Sequence, residues 1–264
     1  MTDFETIQVE QEQQVARVWL NRPDVRNAFN EQMIAELTEA FSAIDKDSSS
    51  KVMVLSGRGS AFCAGADLNW MRKMSGYSFE ENCADASRLA LMLRTLYEMK
   101  KPTIACVNGH AFAGGMGLVS ACDIAVSVDS ALFCLSETKL GLIPATIGPY
   151  VFSAVGRRAA TRYMVSAERF DAIEAKRIGL VHEAVSDTQL QLTVDSILEN
   201  ILGGGTNAHR ETKSLIDLID RSMFSDDLIN ETATRIARVR ASEEGKEGIQ
   251  SFLEKRKPNW VNSK

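Results

Sequence analysis

Two stretches rich in glycine and alanine, each following a short apolar run, limit this chain more than any other feature. Residues 52–55 (Val-Met-Val-Leu) lead through the loop Ser56-Gly57-Arg58-Gly59-Ser60 into Phe62-Cys63-Ala64-Gly65-Ala66-Asp67-Leu68. Residues 103–107 (Thr-Ile-Ala-Cys-Val) lead through Asn108 into Gly109-His110-Ala111-Phe112-Ala113-Gly114-Gly115-Met116-Gly117-Leu118. An uncharged run of four or five residues bounded by turn signals reads as a strand buried on both faces. The small-residue segment after each strand exposes backbone N–H groups with little side chain to screen them. Either segment alone reads as a place where backbone packs closely on backbone; the recurrence after a second strand leans towards function. Two such donors aimed at one point make an oxyanion hole, and losing one donor costs roughly 2.7–4 kcal/mol of transition-state stabilisation. A helix starting at Gly114-Gly115 adds a dipole that favours an enolate.

The rest of the chain supports an α/β class. Residues 7–9 and 15–20 read as strands around a polar turn, with alternating Val15, Arg17 and Trp19 in the second. Asn21-Arg22-Pro23-Asp24 is loop. Met33, Leu37, Phe41 and Ile44 recur at helical spacing after the cap Asn30, and a second helix is predicted over 78–100, stopping before Pro102. Residues 124–128 read as a further strand, so strands and helices alternate, which predicts an α/β core. Beyond residue 145 strand signals nearly vanish. Asp171-Ala172-Ile173-Glu174 reads as a capping box opening a short helix that ends at Gly179. Residues 190–202, 208–222 and 226–241 have helical periodicity, and 252–260 reads as a basic, aromatic tail. The division expected is a core over 1–200 and a helical region over 201–264.

Composition excludes several classes. With 264 residues, 45% hydrophobic and 25% charged, the chain has the proportions of a globular protein with a substantial core. A net charge of -5 is the opposite of what a nucleic-acid or anionic-membrane binder carries. The uncharged run 111–122 holds three glycines and is too short to span a bilayer. Residues 1–5 are acidic and without an apolar stretch, so no signal or transit peptide is expected. Five cysteines (Cys63, Cys83, Cys106, Cys122, Cys134) without a CxxC pair point to a reduced compartment, the cytoplasm.

Common catalytic signatures are absent: no Walker A loop, HExxH, GxSxG or GxGxxG. His110, His182 and His209 lie far apart and read as structural, and no metal site is indicated. Cys63 and Cys134 have no base or cation beside them in sequence and read as packing residues.

Taken together, Phe62-Cys63-Ala64-Gly65-Ala66-Asp67-Leu68, Lys101-Pro102-Thr103-Ile104-Ala105-Cys106-Val107-Asn108-Gly109, Ala113-Gly114-Gly115 and Ser120-Ala121-Cys122-Asp123-Ile124 resemble the crotonase (enoyl-CoA hydratase/isomerase) superfamily. Asn21-Arg22-Pro23 with Asn27-Ala28, Leu140-Gly141-Leu142-Ile143-Pro144, the stretch 175–181 and Phe252-Leu253-Glu254-Lys255-Arg256 match the same family, so the resemblance runs over about residues 5–260. It implies a crotonase-like α/β spiral of strand-strand-helix turns with a helical C-terminal trimerisation region, assembled as a homotrimer or dimer of trimers. It implies an acyl-CoA thioester as substrate, with no separate cofactor. By position, Ala64 and Gly114 supply the oxyanion N–H groups. Ala64, Gly65, Ala66, Asp67 and Leu68, with Gly114 and Gly115, line the CoA and acyl site, and Phe252 and Lys255 approach CoA. Trp70 and Met71 are expected to wall the acyl pocket or a lid.

The acid-base pair departs from the family pattern. The position of one of the two glutamates used by hydratases of this family is Gly117; the other matches Glu137. A carboxylate in this low-charge segment should hold its proton more tightly, which suits general acid-base work. The resemblance narrows to hydratases of branched, carboxylated enoyl-CoA esters through Leu135-Ser136-Glu137, the run 141–151 and Ala167-Glu168-Arg169-Phe170-Asp171-Ala172. The implied substrate is 3-methylglutaconyl-CoA, from leucine and isovalerate breakdown, or its carboxygeranoyl-CoA relative from acyclic terpenes. Lys139, Arg157 and Arg162 are the candidate cations for the distal carboxylate. The alternatives are an isomerase that shifts a double bond with Glu137 alone, and a non-catalytic acyl-CoA-binding homologue.

Overall fold

A computed structural model describes residues 4–261, so Met1 to Asp3 of the acidic opening lie outside it. The chain divides into two units. The first runs up to Met99 and from Thr103 to Asp195; the second comprises Lys100–Pro102 and the chain from Ser196.

In chain order the first unit holds β1 (Ile7–Glu12), β2 (Val15–Leu20), α1 (Glu31–Lys46), β3 (Val52–Gly57), β4 (Ala61–Cys63), α2 (Leu68–Met74) and α3 (Phe79–Tyr97). It continues with β5 (Thr103–Val107), β6 (His110–Phe112), α4 (Gly114–Ala121), β7 (Ile124–Val128), β8 (Leu132–Cys134), α5 (Gly148–Ser166), β9 (Phe170–Asp171), α6 (Ala172–Arg177) and β10 (Glu183–Val185). The division between units falls inside α7 (Asp187–Gly203).

The main sheet has the order β1-β2-β3-β5-β7-β10, with β1 and β2 antiparallel and the rest parallel. Every residue of β3 and β5 is buried, as their uncharged runs require. A second sheet, β4-β6-β8-β9, was not legible as strands. The core strands β3, β5 and β7 are followed by β4, β6 and β8 respectively, so the chain winds in strand-strand-helix turns. The helix α1 is capped by the Asn30 side chain, which accepts from Met33 N, and it buries Met33, Leu37, Phe41 and Ile44 as their spacing predicts. The helix α3 opens on a complete capping box, Ser78 with Glu81.

The short elements add detail, and one expectation needs correction. The small-residue stretches carry short strands: β4 runs into the first and β6 lies within the second. At α6 only half of the capping box forms. Asp171 accepts from Glu174 N, but the Glu174 carboxylate turns instead to Tyr163 Oη (2.6 Å) and Arg177 (2.5 Å), partners that sequence spacing does not reveal. The tail over 252–260 shares only its first two residues with α10 (Glu243–Leu253), and Arg256 within it is taken up by Glu247 and Glu254.

The second unit contains α8 (Thr206–Arg221), α9 (Asp226–Ala241) and α10, with Ser225 and Ser242 capping the latter two. Its helices, with the segment joining α8 to α9, leave Ile216, Ile219, Met223, Phe224 and Ile229 exposed, Phe224 to 96%.

Candidate active site

The two small-residue segments meet. A Cβ added at Gly115 would lie 2.8 Å from the Cys63 carbonyl oxygen and 2.9 Å from Cys63 Cβ; one added at Gly65 would lie 3.2 Å from Ala113 Cβ. Glycine is required at both positions by this close approach, and at Gly65 also by φ +94°. The β4–β6 pairing, Ala61 with His110 and Cys63 with Ala111, brings them side by side.

Within the first segment the available donor is not the one expected. The Ala64 N–H donates to the Arg26 carbonyl at 3.0 Å and so is already committed. Phe29 brackets the residue two further on: Phe29 N donates to Gly65 O (2.7 Å) and Asp67 N donates to Phe29 O (2.8 Å). In such a parallel bridge the middle residue, Ala66, directs its own N–H to the opposite side. No acceptor among the described residues takes that N–H.

In the second segment Ala113 stands at φ 47°, ψ -116°, outside the usual regions for a residue with a side chain. Its N–H donates to the Cys134 carbonyl at 2.8 Å, and the turn it makes starts α4 at Gly114. The first N–H groups of α4, those of Gly114 and Gly115, have no intrahelical acceptor. Such a helix start carries a partial positive charge.

The same end of β8 carries Glu137. Three residues past Cys134, it opens a single 3-10 turn, Glu137–Leu140. Its Oε2 is buried without a hydrogen-bond partner; Ser120 Oγ is the one other such side-chain atom among the described residues. Burial pushes the Glu137 carboxyl above its ordinary value, with only its own backbone N–H opposing the shift. A partly buried carboxylate with a raised proton affinity and one buried, unpartnered oxygen is a candidate for proton transfer rather than for stability.

Known proteins share this fold. The sequence profile described as enoyl-CoA hydratase/isomerase matches residues 10–263. The chain belongs to the enoyl-CoA hydratase/isomerase family. A crotonyl-CoA hydratase of Syntrophomonas wolfei is 32% identical over 98% of each chain. The crystal structure of an enoyl-CoA hydratase from Shewanella pealeana superposes with a TM-score of 0.95 at 40% identity, covering 97% of this chain and 96% of that one. An enoyl-CoA hydratase of Mycobacterium smegmatis gives a TM-score of 0.91 at 32% identity, over 98% and 100% of the two chains. The fold is therefore the α/β crotonase fold.

In this enoyl-CoA hydratase/isomerase family member, position 117 has no space for a second carboxylate. A Cβ on Gly117 would sit 2.5 Å from Ile147 Cγ2 and 3.0 Å from Ile147 Cβ. Asp67 is occupied structurally: its carboxylate accepts from Asn69 N and Trp70 N at the start of α2 and from Arg22 Nη2 at 2.9 Å, and the bonds together hold it below its usual range. Trp70 is buried, its Nε1 donating to Asp85 at 3.4 Å, so it fastens α2 to α3. Met71 is half-buried beside it and Leu68 is exposed. Burial pushes the Cys63 thiol up to about 12, and the Cys134 thiol is also raised, which suits inert packing.

The three histidines each bond to backbone: His110 with Leu132 N, His182 with Ala125 N, His209 with Ile201 O. Of the candidate cations, Arg162 is engaged by Glu168 at 2.5 Å, while Lys139 and Arg157 are exposed. Phe252, exposed at the end of α10, and Lys255, at φ 53°, belong to the second unit. Sequence reasoning missed Phe29 and Arg22; the signal was present in the Asn21-Arg22-Pro23 and Asn27-Ala28 motif, but not its destination.

Proposed function

We propose that the protein is an enoyl-CoA hydratase, adding water across the α,β double bond of an acyl-CoA thioester with Glu137 as its single acid-base group. The observation that carries this reading is the buried, unpartnered Glu137 Oε2, on the strand end that also anchors the start of α4. The thioester oxygen accepts from the N–H groups of Ala66 and Gly114. Ala66 replaces Ala64 in this role because the Ala64 N–H is spent on Arg26. As charge develops on that oxygen, the two donors stabilise the enolate. Glu137 takes a proton from the attacking water as its oxygen bonds to the β carbon. The protonated carboxyl then returns that proton to the α carbon, and the net change is addition of H and OH. A carboxyl with raised proton affinity holds the proton between the two steps.

Coenzyme A arrives as part of the substrate, with no separate cofactor; Gly65, Leu68 and Gly115 are assigned to its binding, and Phe252 and Lys255 to CoA contacts made from a neighbouring copy. A branched, carboxylated ester such as 3-methylglutaconyl-CoA is the proposed substrate. Lys139, two residues from Glu137 and without an ion pair among the described residues, suits its distal carboxylate better than the engaged Arg162. The sealed position at Gly117 favours a second reading, an isomerase that moves one proton between carbons with Glu137 alone. The exposed apolar residues of α8 and α9 support a homotrimer, as single trimers or paired ones. Among the described residues no helix is long and apolar enough to cross a membrane, and the five cysteines are free, which supports the cytoplasm.

The deciding experiment is steady-state turnover of crotonyl-CoA and 3-methylglutaconyl-CoA by the wild type and Glu137→Gln, in isotopically labelled water. Preference for the carboxylated ester, with label in the product and loss in the variant, supports the hydratase. A shifted alkene without labelled oxygen selects the isomerase. Turnover surviving in the variant overturns the assignment of Glu137.

A further inference from the structure

The donors of an oxyanion hole work only if their separation is fixed, and the residue that fixes it belongs to neither small-residue segment. Phe29, 1% exposed, touches both of them. Its main chain grips the first: Phe29 N bonds Gly65 O and Phe29 O accepts from Asp67 N, which orients the peptide of Ala66 between them. Its ring meets the second: a Cβ added at Gly114 would lie 2.7 Å from Phe29 Cε2 and 2.9 Å from Cδ2. One residue therefore touches both donor segments, with main-chain hydrogen bonds to one and a flat ring against the other.

The loop that carries Phe29 is itself locked. Arg22 reaches from its start with Nη1 to the Ala28 carbonyl (2.6 Å) and Nη2 to Asp67 Oδ2 (2.9 Å), so one planar guanidinium spans the Phe29 loop and the donor segment. Asn27, fully buried, accepts from Arg22 N and donates to the carbonyls of Arg58 and Ala61, tying the loop to the entry of β4. Arg26 and Asn27 hold φ values of 53° and 55°, and the Arg26 carbonyl takes the Ala64 N–H. Such left-handed residues persist only where their surroundings over-determine them.

We propose that Phe29 is the positioning residue that sets the spacing of the Ala66 and Gly114 donors, with Arg22 as the clamp that holds it. The proposal rests on the oxyanion role of those two N–H groups and adds what makes that site geometrically competent. A displacement of about 1 Å at such a site is worth up to about a hundredfold in rate. Shortening the ring should therefore damage turnover without much change in substrate binding.

The test uses the full-length protein, with Phe29→Leu, Gly114→Ala and the double variant. Three quantities are read: kcat and KM for crotonyl-CoA, the ultraviolet enolate band of bound acetoacetyl-CoA, and affinity for saturated butanoyl-CoA. Phe29→Leu is expected to lower kcat by about 10- to 100-fold and to weaken the enolate band, with KM and butanoyl-CoA affinity within about threefold of wild type. The double variant is expected to lose less than the product of the two single losses, because the shorter side chain makes room for the added methyl. An unchanged kcat and enolate band in Phe29→Leu overturn the proposal, and so do strictly multiplicative losses. Should Phe29→Leu not fold, by circular dichroism, Arg22→Lys decides on the same readouts; an unchanged kcat there overturns the proposal. A wild type that binds butanoyl-CoA but gives no enolate band sinks the oxyanion reading itself, a result distinct from a band that survives in Phe29→Leu.

Discussion

Glu137 combines features that structural carboxylates avoid: burial, a raised proton affinity and an oxygen without a partner. Replacing it with Gln is expected to lower kcat by about 10²- to 10⁴-fold, the range for loss of a positioned acid-base group. Its protonation should set the acid limb of kcat/KM above the ordinary carboxylate range, with activity falling as pH drops through that limb. The stability effect has the opposite sense. The folded state holds this proton to higher pH than the unfolded chain does, so native stability falls as pH rises from the ordinary carboxylate range through the raised value. Glu137→Gln removes that loss and should melt no lower than wild type at neutral pH, a comparison that thermal melts across this range would make. Gly117 gives a complementary expectation. Gly117→Glu drives side-chain atoms into Ile147 and should cost about 1–3 kcal/mol in denaturant unfolding, part of which Ile147→Ala should recover.

At the scale of elements, legibility followed length and side-chain content. The strands β3, β5 and β7 and the helix α1 were readable because their apolar residues form runs or stripes long enough to show a period. The three-residue strands β4, β6 and β8 were not, since three residues are too few to show an alternation. Helix α5 escaped because Gly148 and Pro149 open it and Gly156, at φ 70°, interrupts it; α10 escaped because Gly245 and Gly248 lie within it. The α5–α6 junction supports a prediction at this scale. Arg177 and Tyr163 lower the Glu174 carboxyl to about 2. Its contribution is present above the ordinary carboxylate range and is lost as pH falls from there through about 2. Glu174→Gln should therefore be less stable than wild type near neutrality, and the gap in denaturant midpoint should close as the medium is acidified.

For the whole molecule, the second unit's exposed Ile216, Ile219, Met223, Phe224 and Ile229 are more apolar surface than a solitary chain usually presents. If copies of the chain cover these helices, Met223→Asp with Phe224→Asp should convert an oligomer to monomers in analytical ultracentrifugation, with helix content retained. An unchanged sedimentation coefficient in an oligomeric wild type would place the interface elsewhere.

The sequence by itself determined the α/β class, the two small-residue segments and the carboxylate at Glu137. Each of these depends on local composition: apolar runs bury, glycines admit close backbone, and a glutamate is a glutamate wherever it lies. The tertiary structure decided which N–H in the first segment is free, that Phe29 touches both donor segments, and that Ile147 seals position 117. A backbone N–H is available only if no other carbonyl claims it. The carbonyl that claims Ala64 belongs to Arg26, a residue that only the folded chain brings within reach.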